Sequence, residues 1–405
     1  MSNDNGRMSW NCKSLSRVIF LSLISLPAVV SFPVITRPNK EFRTINTNLF
    51  STTSEDGWKW KGHDIYTRPI SSSTEGKQKI LLIHGFGCST TYWRSTIDTL
   101  EKDGRYEVHS LDLLGQGYSA KPSSVTYTIN LWANQVDDYI QHITASCKDE
   151  DDDFIIIGNS LGSLIALAAA TKDYKDEKVD DFPKKIQGIC MCNCANGLNS
   201  KGTINEPNVP AVVKIIFTVL YSILELVIFK NKRLLQYLLD EKITKDVLKE
   251  TLQGLYKHDP SRIDEELVNS FYEPAQQPGA VDALSQIYAN EPGKTPMDLH
   301  DEYATLLQNY FADGNPLPIH LVWGNDDAIT PVGGGVGTFY SQLAGDSSTA
   351  VTMDMVHAGH VPFDDNPEST NASILKWTNT LLTTRETSMK TTSSVKDIPY
   401  FLTEI

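Results

Sequence analysis

The run Phe154-Ile155-Ile156-Ile157-Gly158-Asn159-Ser160-Leu161-Gly162-Ser163-Leu164 sets a serine between two glycines, after an apolar stretch and before one rich in Ala and Leu. The pattern predicts a strand, a sharp turn and a helix. Such a turn exposes the Ser160 hydroxyl, and the small residues two before and two after it let the backbone bend that tightly. A helix that begins at the serine directs free amides and the positive end of its dipole at the same point. That combination suits attack on a carbonyl carbon, in which the serine oxygen forms the new bond and negative charge develops on the carbonyl oxygen.

The chemistry needs three further parts. Leu82-Ile83-His84-Gly85-Phe86-Gly87 ends another predicted strand, and its His-Gly-x-Gly turn can aim the Phe86 N–H at the developing oxyanion. The Leu161 N–H supplies the second donor. A base and an orienting acid are expected after the serine in the order Asp, His. Leu321-Val322-Trp323-Gly324-Asn325-Asp326-Asp327 and Met355-Val356-His357-Ala358-Gly359-His360 each end a predicted strand and provide both. His360 is preferred to His357, because Gly359 frees the turn and Val361-Pro362 begins a loop over the site. His357 reads as a surface or structural residue. Asp327 is preferred to Asp326. No metal or cofactor enters this chemistry.

The elements that must position these residues follow the same alternation. Short apolar runs at Ile80–His84, Val108–Leu113, Phe154–Asn159, Ile186–Cys194, Ile319–Trp323 and Val351–Met355 are bounded by Gly, Pro, Asp or Asn. Helical stretches, such as Leu131–Ile143 and Ser163–Thr171, lie between them. Near-continuous apolar strands alternating with helices predict a parallel sheet covered on both faces. Residues 198–300 read as helices only, at Ala211–Phe229, Leu234–Leu239, Lys245–Tyr256, Asp264–Phe271 and Ala280–Tyr288. They form an expected cap over the carboxyl edge of the sheet, dividing the core into 55–197 and 301–383. Within Val209–Phe229 the polar residues Lys214, Thr218, Ser222 and Glu225 draw one narrow stripe down an otherwise apolar helix. Burying Lys214 and Glu225 in lipid argues against a full span. The helix is expected over the active site, at a membrane surface with Lys230, Lys232 and Arg233 at its headgroup end, or in the core of the cap. The pocket beneath should favour a long-chain ester over a small polar one.

Taken together, His84-Gly-Phe-Gly, Asp112-Leu-Leu-Gly-Gln-Gly117-Tyr-Ser, Gly158-Asn-Ser-Leu-Gly, Trp323-Gly-Asn-Asp-Asp and Ala358-Gly-His-Val-Pro resemble the α/β-hydrolase superfamily over residues 58–383. The Gly-Asn-Ser-Leu-Gly turn and the Asp-Leu-Leu-Gly-Gln-Gly stretch are similar to the pheophytinase and chlorophyll dephytylase group of plants and algae. In that pattern the aspartate falls on Asp327 and the histidine on His360, while Ser163 replaces a second glycine. The resemblance implies an α/β-hydrolase fold, a mostly parallel sheet with an inserted helical cap, and removal of phytol from chlorophyll or pheophytin. A serine nucleophile in place of aspartate argues against dehalogenase and epoxide hydrolase chemistry. A lipase or carboxylesterase acting on other acyl esters, or a hydrolase-fold binding protein with negligible turnover, stays open.

Composition narrows the partners. The chain has 405 residues, 40% of them hydrophobic, and a net charge of −14, which is enough apolar material for a large core and a poor charge balance for gripping nucleic acid. A hydrophobic small-molecule ester is the expected partner, with peripheral contact to a thylakoid or envelope membrane through the cap. Cys190, Cys192 and Cys194 alternate along one predicted strand, so they should share a face as buried free thiols. Residues 1–54 read as targeting sequence. Arg7, Lys13 and Arg17 precede an apolar run at Val18–Val30, and Ser31-Phe32-Pro33 then opens a basic, hydroxyl-rich stretch. This resembles the bipartite presequence of algae with secondary plastids and implies entry to the chloroplast through the endoplasmic reticulum. A plain secretory signal is the alternative. Residues 384–405 are expected to form a flexible tail.

Overall fold

A computed structural model describes residues 57–68, 76–145, 153–176, 185–199, 201–202, 211–310, 316–346 and 348–396. The presequence reading, with Phe32, lies outside the described residues. The described chain opens with a hairpin of β1 (Lys59–Trp60) and β2 (His63–Asp64), turned through Lys61 and Gly62, both at positive φ. Six strands follow: β3 (Gln78–Ile83), β4 (Tyr106–Leu111), β5 (Phe154–Asn159), β6 (Ile186–Cys192), β7 (Ile319–Gly324) and β8 (Val351–Val356). They form one parallel sheet in the order β4-β3-β5-β6-β7-β8.

The period-two alternation of strand side chains explains how apolar runs serve two layers. Leu81, Ile83 and Ile156 face a core with Trp132, Tyr139 and Leu164, whereas Ile80, Leu82, Ile155 and Ile157 face a second with Trp93, Phe363 and Trp377. The covering helices include α1 (Arg94–Asp103), α2 (Ile129–Thr144) and α3 (Leu161–Asp176). Thr128 caps α2 by accepting from the Leu131 N–H at 3.1 Å. This is the parallel sheet covered on both faces that the alternation predicts, and the α/β-hydrolase architecture that the resemblance implies.

Between β6 and β7 the described chain is helical: α4 (Ala211–Leu224), a π turn (Glu225–Phe229), α5 (Lys232–Glu241), α6 (Lys245–Gln253), α7 (Glu265–Ala275), α8 (Ala280–Ala289) and α9 (Pro296–Tyr310). Asn231, Thr244 and Asp264 cap α5, α6 and α7 through their side-chain oxygens, which fixes where each begins. α9 returns to pack on α3. After β7 come α10 (Gly335–Ala344), β8, the single turn α11 (Pro362–Asp365) and α12 (Pro367–Lys396).

Two readings are corrected. β6 stops at Cys192 rather than Cys194, because Asn193 adopts φ +48° and ends the pleat. Cys190 and Cys192 therefore lie in one core and Cys194 in the other, all as free thiols. The tail is also helical as far as Lys396, since no Gly or Pro after Pro367 interrupts α12 before that point.

Parallel strands put all their carboxyl ends at one edge, so the turns after β3, β5, β7 and β8 converge there. A close approach enforces this. A Cβ on Gly162 would lie 2.2 Å from the Ile83 carbonyl oxygen and one on Gly158 2.4 Å from the Gly162 backbone. Gly162→Ala should therefore destabilise the fold by about 1–3 kcal/mol, as other overpacked sites do. A thermal melt unchanged from wild type would mean that β3 yields to the added methyl.

Candidate active site

Ser160 sits at φ +53°, a left-handed conformation that costs a non-glycine residue about 1–3 kcal/mol unless its surroundings hold it. They do. The Ser160 N–H donates to the Cys192 carbonyl at 2.9 Å, and the Ser160 carbonyl accepts from the amides of Ala195, Ser163 and Leu164. Ser163 is accommodated because its hydroxyl donates to the Gly158 carbonyl at 2.8 Å. Leu161 opens α3, where the first amides have no earlier turn to bond.

The turn after β3 passes directly beside the serine, since a Cβ on Gly85 would lie 3.3 Å from Ser160 Cβ. His84 shapes this turn from below. It is buried, its Nδ1–H donates to the Gly85 carbonyl at 2.7 Å, and its Nε2 accepts from the Leu113 N–H at 3.0 Å. Burial, with smaller opposing contributions, pushes its pKa down to about 4, so it is a neutral scaffold and not a base. On the far side, Gly87 N–H donates to Gln116 Oε1 at 2.8 Å. Asp112, from the Asp-Leu-Leu-Gly-Gln-Gly stretch, is buried and accepts from the amides of Thr90 and Tyr118, both at 2.7 Å. That stretch thus builds the loops behind the turn.

His360 Nδ1–H donates to Asp327 Oδ2 at 2.8 Å. Asp327 is buried, and burial alone would raise its carboxyl. The His360 ring, with hydrogen bonds from Asn193 and Thr330, outweighs that and holds the carboxyl below its ordinary value. Its Oδ1 accepts from the Ile329 and Thr330 amides at 2.7 and 3.1 Å, and its Oδ2 from the Thr330 hydroxyl at 2.7 Å and from Asn193 Nδ2. Asp326 points elsewhere and pairs with the exposed His357 at 3.5 Å. The structure therefore brings Asp327 and His360 together and sets Asp326 and His357 apart from them.

Several residues that sequence reasoning missed join these parts. Asn193 Nδ2 reaches Asp327 while its Oδ1 accepts from the Gly324 amide at 3.1 Å, so the end of β6 braces the acid turn. An Asn directly after an apolar strand, where αL is tolerated, was the available signal. Asn159 donates to the carbonyls of His360 and Cys192, both at 3.1 Å, and accepts from the Tyr92 hydroxyl at 2.7 Å. Tyr92 in turn accepts from the Gly85 N–H at 2.7 Å. One hydrogen-bonded chain thus links the glycine turn, the residue before Ser160 and the His360 loop.

The cap is fastened to the same loop. The His360 N–H donates to the Leu255 carbonyl at 3.0 Å, and Asp365 accepts from the amides of Lys257, His258, Asp259 and Gly359. A Cβ at Gly359 would fall 1.9 Å from the Leu255 oxygen, so only glycine lets the two backbones meet. Buried Asp364 adds ion pairs to Arg94 and Arg262, both at 3.0 Å, and accepts from Tyr256.

Beside the Phe86 turn lies an open cleft lined by Leu239 of α5, Phe271 and Pro274 of α7, Leu284 and Ile287 of α8, and Lys121. Phe86 meets Tyr288 edge-on at 5.4 Å, and Tyr288 stacks on Phe229 at 4.0 Å. None of the residues lining the cleft belongs to α4.

Residues 80–372 match the alpha/beta hydrolase family, and the chain belongs to it. It is 24% identical over 293 residues to an uncharacterized hydrolase, YugF, of Bacillus subtilis, covering 72% of this chain and 87% of that protein. A local segment of 129 residues is 35% identical to the probable lysophospholipase BODYGUARD 4 of Arabidopsis thaliana, covering 30% of this chain and 29% of that protein. In fold it is similar to a bromoperoxidase from Bacillus anthracis (TM-score 0.54, 14% identity, 78% of this chain and 96% of that one). A thermophilic esterase from Thermogutta terrifontis is comparable (TM-score 0.52, 17% identity, 79% and 94%).

Asp327→Asn should lower ester turnover by about 10²–10⁴, because the amide would disturb the tautomer and orientation of His360. Asp326→Asn should leave it near wild type. Equal rates for the two variants would place the acid elsewhere.

Proposed function

We propose that this protein is a serine ester hydrolase in which Ser160 is the nucleophile, His360 the base, Asp327 its orienting acid, and the Phe86 and Leu161 amides the oxyanion donors. The observation that carries this reading is the Asp327–His360 hydrogen bond at the same sheet edge as the left-handed turn at Ser160. His360 takes the hydroxyl proton as Ser160 Oγ bonds to the ester carbon, and the oxyanion collapses to an acyl-enzyme as the alcohol leaves with that proton. Water then repeats the sequence, with His360 as base, and releases the acid.

The substrate we propose is a hydrophobic ester. The cleft walled by Leu239, Phe271, Leu284 and Ile287 supports it, as does the aromatic series Phe86–Tyr288–Phe229 beside it. The similarity of the serine turn and the Asp112 stretch to the dephytylase group favours the phytyl ester of chlorophyll or pheophytin within a plastid. A second reading, an acyl ester of a lipid, is favoured by the name of the plant lysophospholipase relatives. Either substrate resides in membranes, and contact with a thylakoid or envelope surface through the cap is part of the proposal.

Ser160→Ala should abolish turnover of phytylated pigments and long-chain acyl esters alike while the thermal melt stays close to wild type. Product analysis with both substrate sets then chooses between the two esters. Residual activity above a trace in the variant would remove Ser160 from the role, and a single slow turnover by the wild type would indicate a binding protein instead.

For targeting, a fluorescent protein fused behind residues 1–55 should enter the plastid, and Phe32→Ala should strand it before the inner envelopes. Secretion of the unmutated fusion would indicate a simple signal peptide.

A further inference from the structure

The α4 helix and its π turn leave a face that no described residue covers. Val212, Ile215, Ile216, Val219, Ile223, Leu226 and Val227 are each between 51% and 69% exposed. Their spacing of three, one, three, four, three and one puts them on one side of the helix. Seven large aliphatic side chains together form a contiguous apolar surface, which a water-soluble surface normally avoids.

The polar residues of the same helix do not offset this. Thr218 Oγ–H donates to the Lys214 carbonyl at 2.8 Å and Ser222 Oγ–H to the Thr218 carbonyl at 2.7 Å. Both hydroxyls are thereby satisfied by the helix itself, as side chains in a lipid environment must be and as side chains in water need not be. Glu225 is turned inward between Lys201 at 2.7 Å and Lys230 at 2.5 Å, which neutralises the acidic group of the stripe. The opposite face is already used. Phe217 and Tyr221 are buried with 5% and 9% exposure, and Phe229 stacks on Tyr288 of α8.

Ala211–Phe229 is long and apolar enough to cross a membrane by length and composition. A helix with one face committed to the folded cap and aliphatic side chains on the other is, however, placed to lie on a bilayer. At its carboxyl end stand Lys230 and Lys232, each more than half exposed while paired on one side, with Glu225 and with Asp282 respectively, at 2.5 Å, then an exposed Arg233 and a half-exposed Tyr237. Long basic side chains and a tyrosine following an aliphatic face match the level of lipid headgroups, with the cations toward anionic phosphate. This basic end is set in a chain of net charge −14, so it is a local feature and not a reflection of overall composition.

We propose that this face docks the protein on the surface of an anionic lipid bilayer, with the aliphatic residues of α4 in the acyl boundary and the basic end at the headgroups. Docked so, the helix would rest its inner side on Tyr288, one ring from Phe86, and open the cap toward the lipid phase. The inference deepens the membrane part of the reading above without depending on the ester. If docking fails, turnover of a short water-soluble ester still tests the hydrolase chemistry.

The test uses the full chain and vesicles of phosphatidylcholine with and without phosphatidylglycerol. The combined variant Ile216→Glu with Val219→Glu should bind at least about tenfold more weakly, since it sets two charges where apolar area would be buried. Its turnover of a short-chain soluble ester should match wild type, because neither residue is buried. Lys232→Glu with Arg233→Glu should weaken binding to the phosphatidylglycerol vesicles alone. Because the apolar run at 18–30 could itself hold the chain on vesicles, a second readout sits on the helix: in Ile223→Trp, the added emission should be quenched by lipids brominated on their acyl chains. That variant is conservative, so it decides the matter even should the charged variants misfold. Absent quenching, or equal vesicle binding and short-ester turnover by wild type and the Ile216/Val219 variant, would overturn the proposal. So would a wild-type dimer in sedimentation that those substitutions convert to a monomer without any vesicle binding, which would make the face a contact between copies. Extraction from vesicles only by detergent would indicate a spanning helix and overturn it as well.

Discussion

A side chain held at positive φ where glycine would be easier sets the terms for much of the rest of this molecule. Ser160 can keep that conformation only if its own amide and carbonyl are tied down and its neighbours are small. Cys192 and Ala195 supply the ties from the adjacent strand end, and Gly158 and Gly162 supply the room. The room has its own requirement, because Gly162 lies against the backbone of β3. β3 and β5, the turn that follows β3 and the start of α3 are consequently held together as one unit. A site built this way has its geometry fixed before any substrate arrives, which is the condition for electrostatic stabilisation of a transient charge.

Much of this was readable in the chain because each part is local. Gly-Asn-Ser-Leu-Gly needs only its own glycines and flanking apolar runs to specify a strand, a turn and a helix. The strand ends at Trp323-Gly-Asn-Asp-Asp and Ala358-Gly-His are marked in the same way. What escaped reading depends on contacts across long separations. Tyr92 and Asn159 are 67 positions apart and Asn193 and Asp327 are 134, so no window of sequence holds both partners. The end of β6 was misplaced for a related reason. Cys-Asn-Cys continues the apolar alternation, and only the demand of the acid turn for a side-chain amide reveals why Asn193 leaves the strand. The hairpin at Lys59–Asp64 carries little apolar pattern, and α12 outlasted the expected boundary because a polar sequence without Gly or Pro gives no stop signal.

The two carboxylates after Pro362 serve opposite physical ends. Asp364 gathers two guanidinium groups and a phenol in a buried ionic cluster, a costly arrangement unless every group is paired. Asp365 gathers backbone amides only, in the manner of an anion nest. Side by side, they fasten α1, the cap segment 255–262 and the histidine loop at a single point.

That fastening changes what the cap is. Leu255 belongs to the inserted helices, yet its carbonyl accepts the amide proton of His360 itself, across a gap that only a glycine at 359 permits. A displacement of the cap large enough to shift Leu255 must carry His360 with it or break that bond. Opening to admit a molecule and alignment for reaction are then mechanically geared through one backbone contact. A chimera given another enzyme's cap would inherit not just a different entrance but a different seat for its histidine.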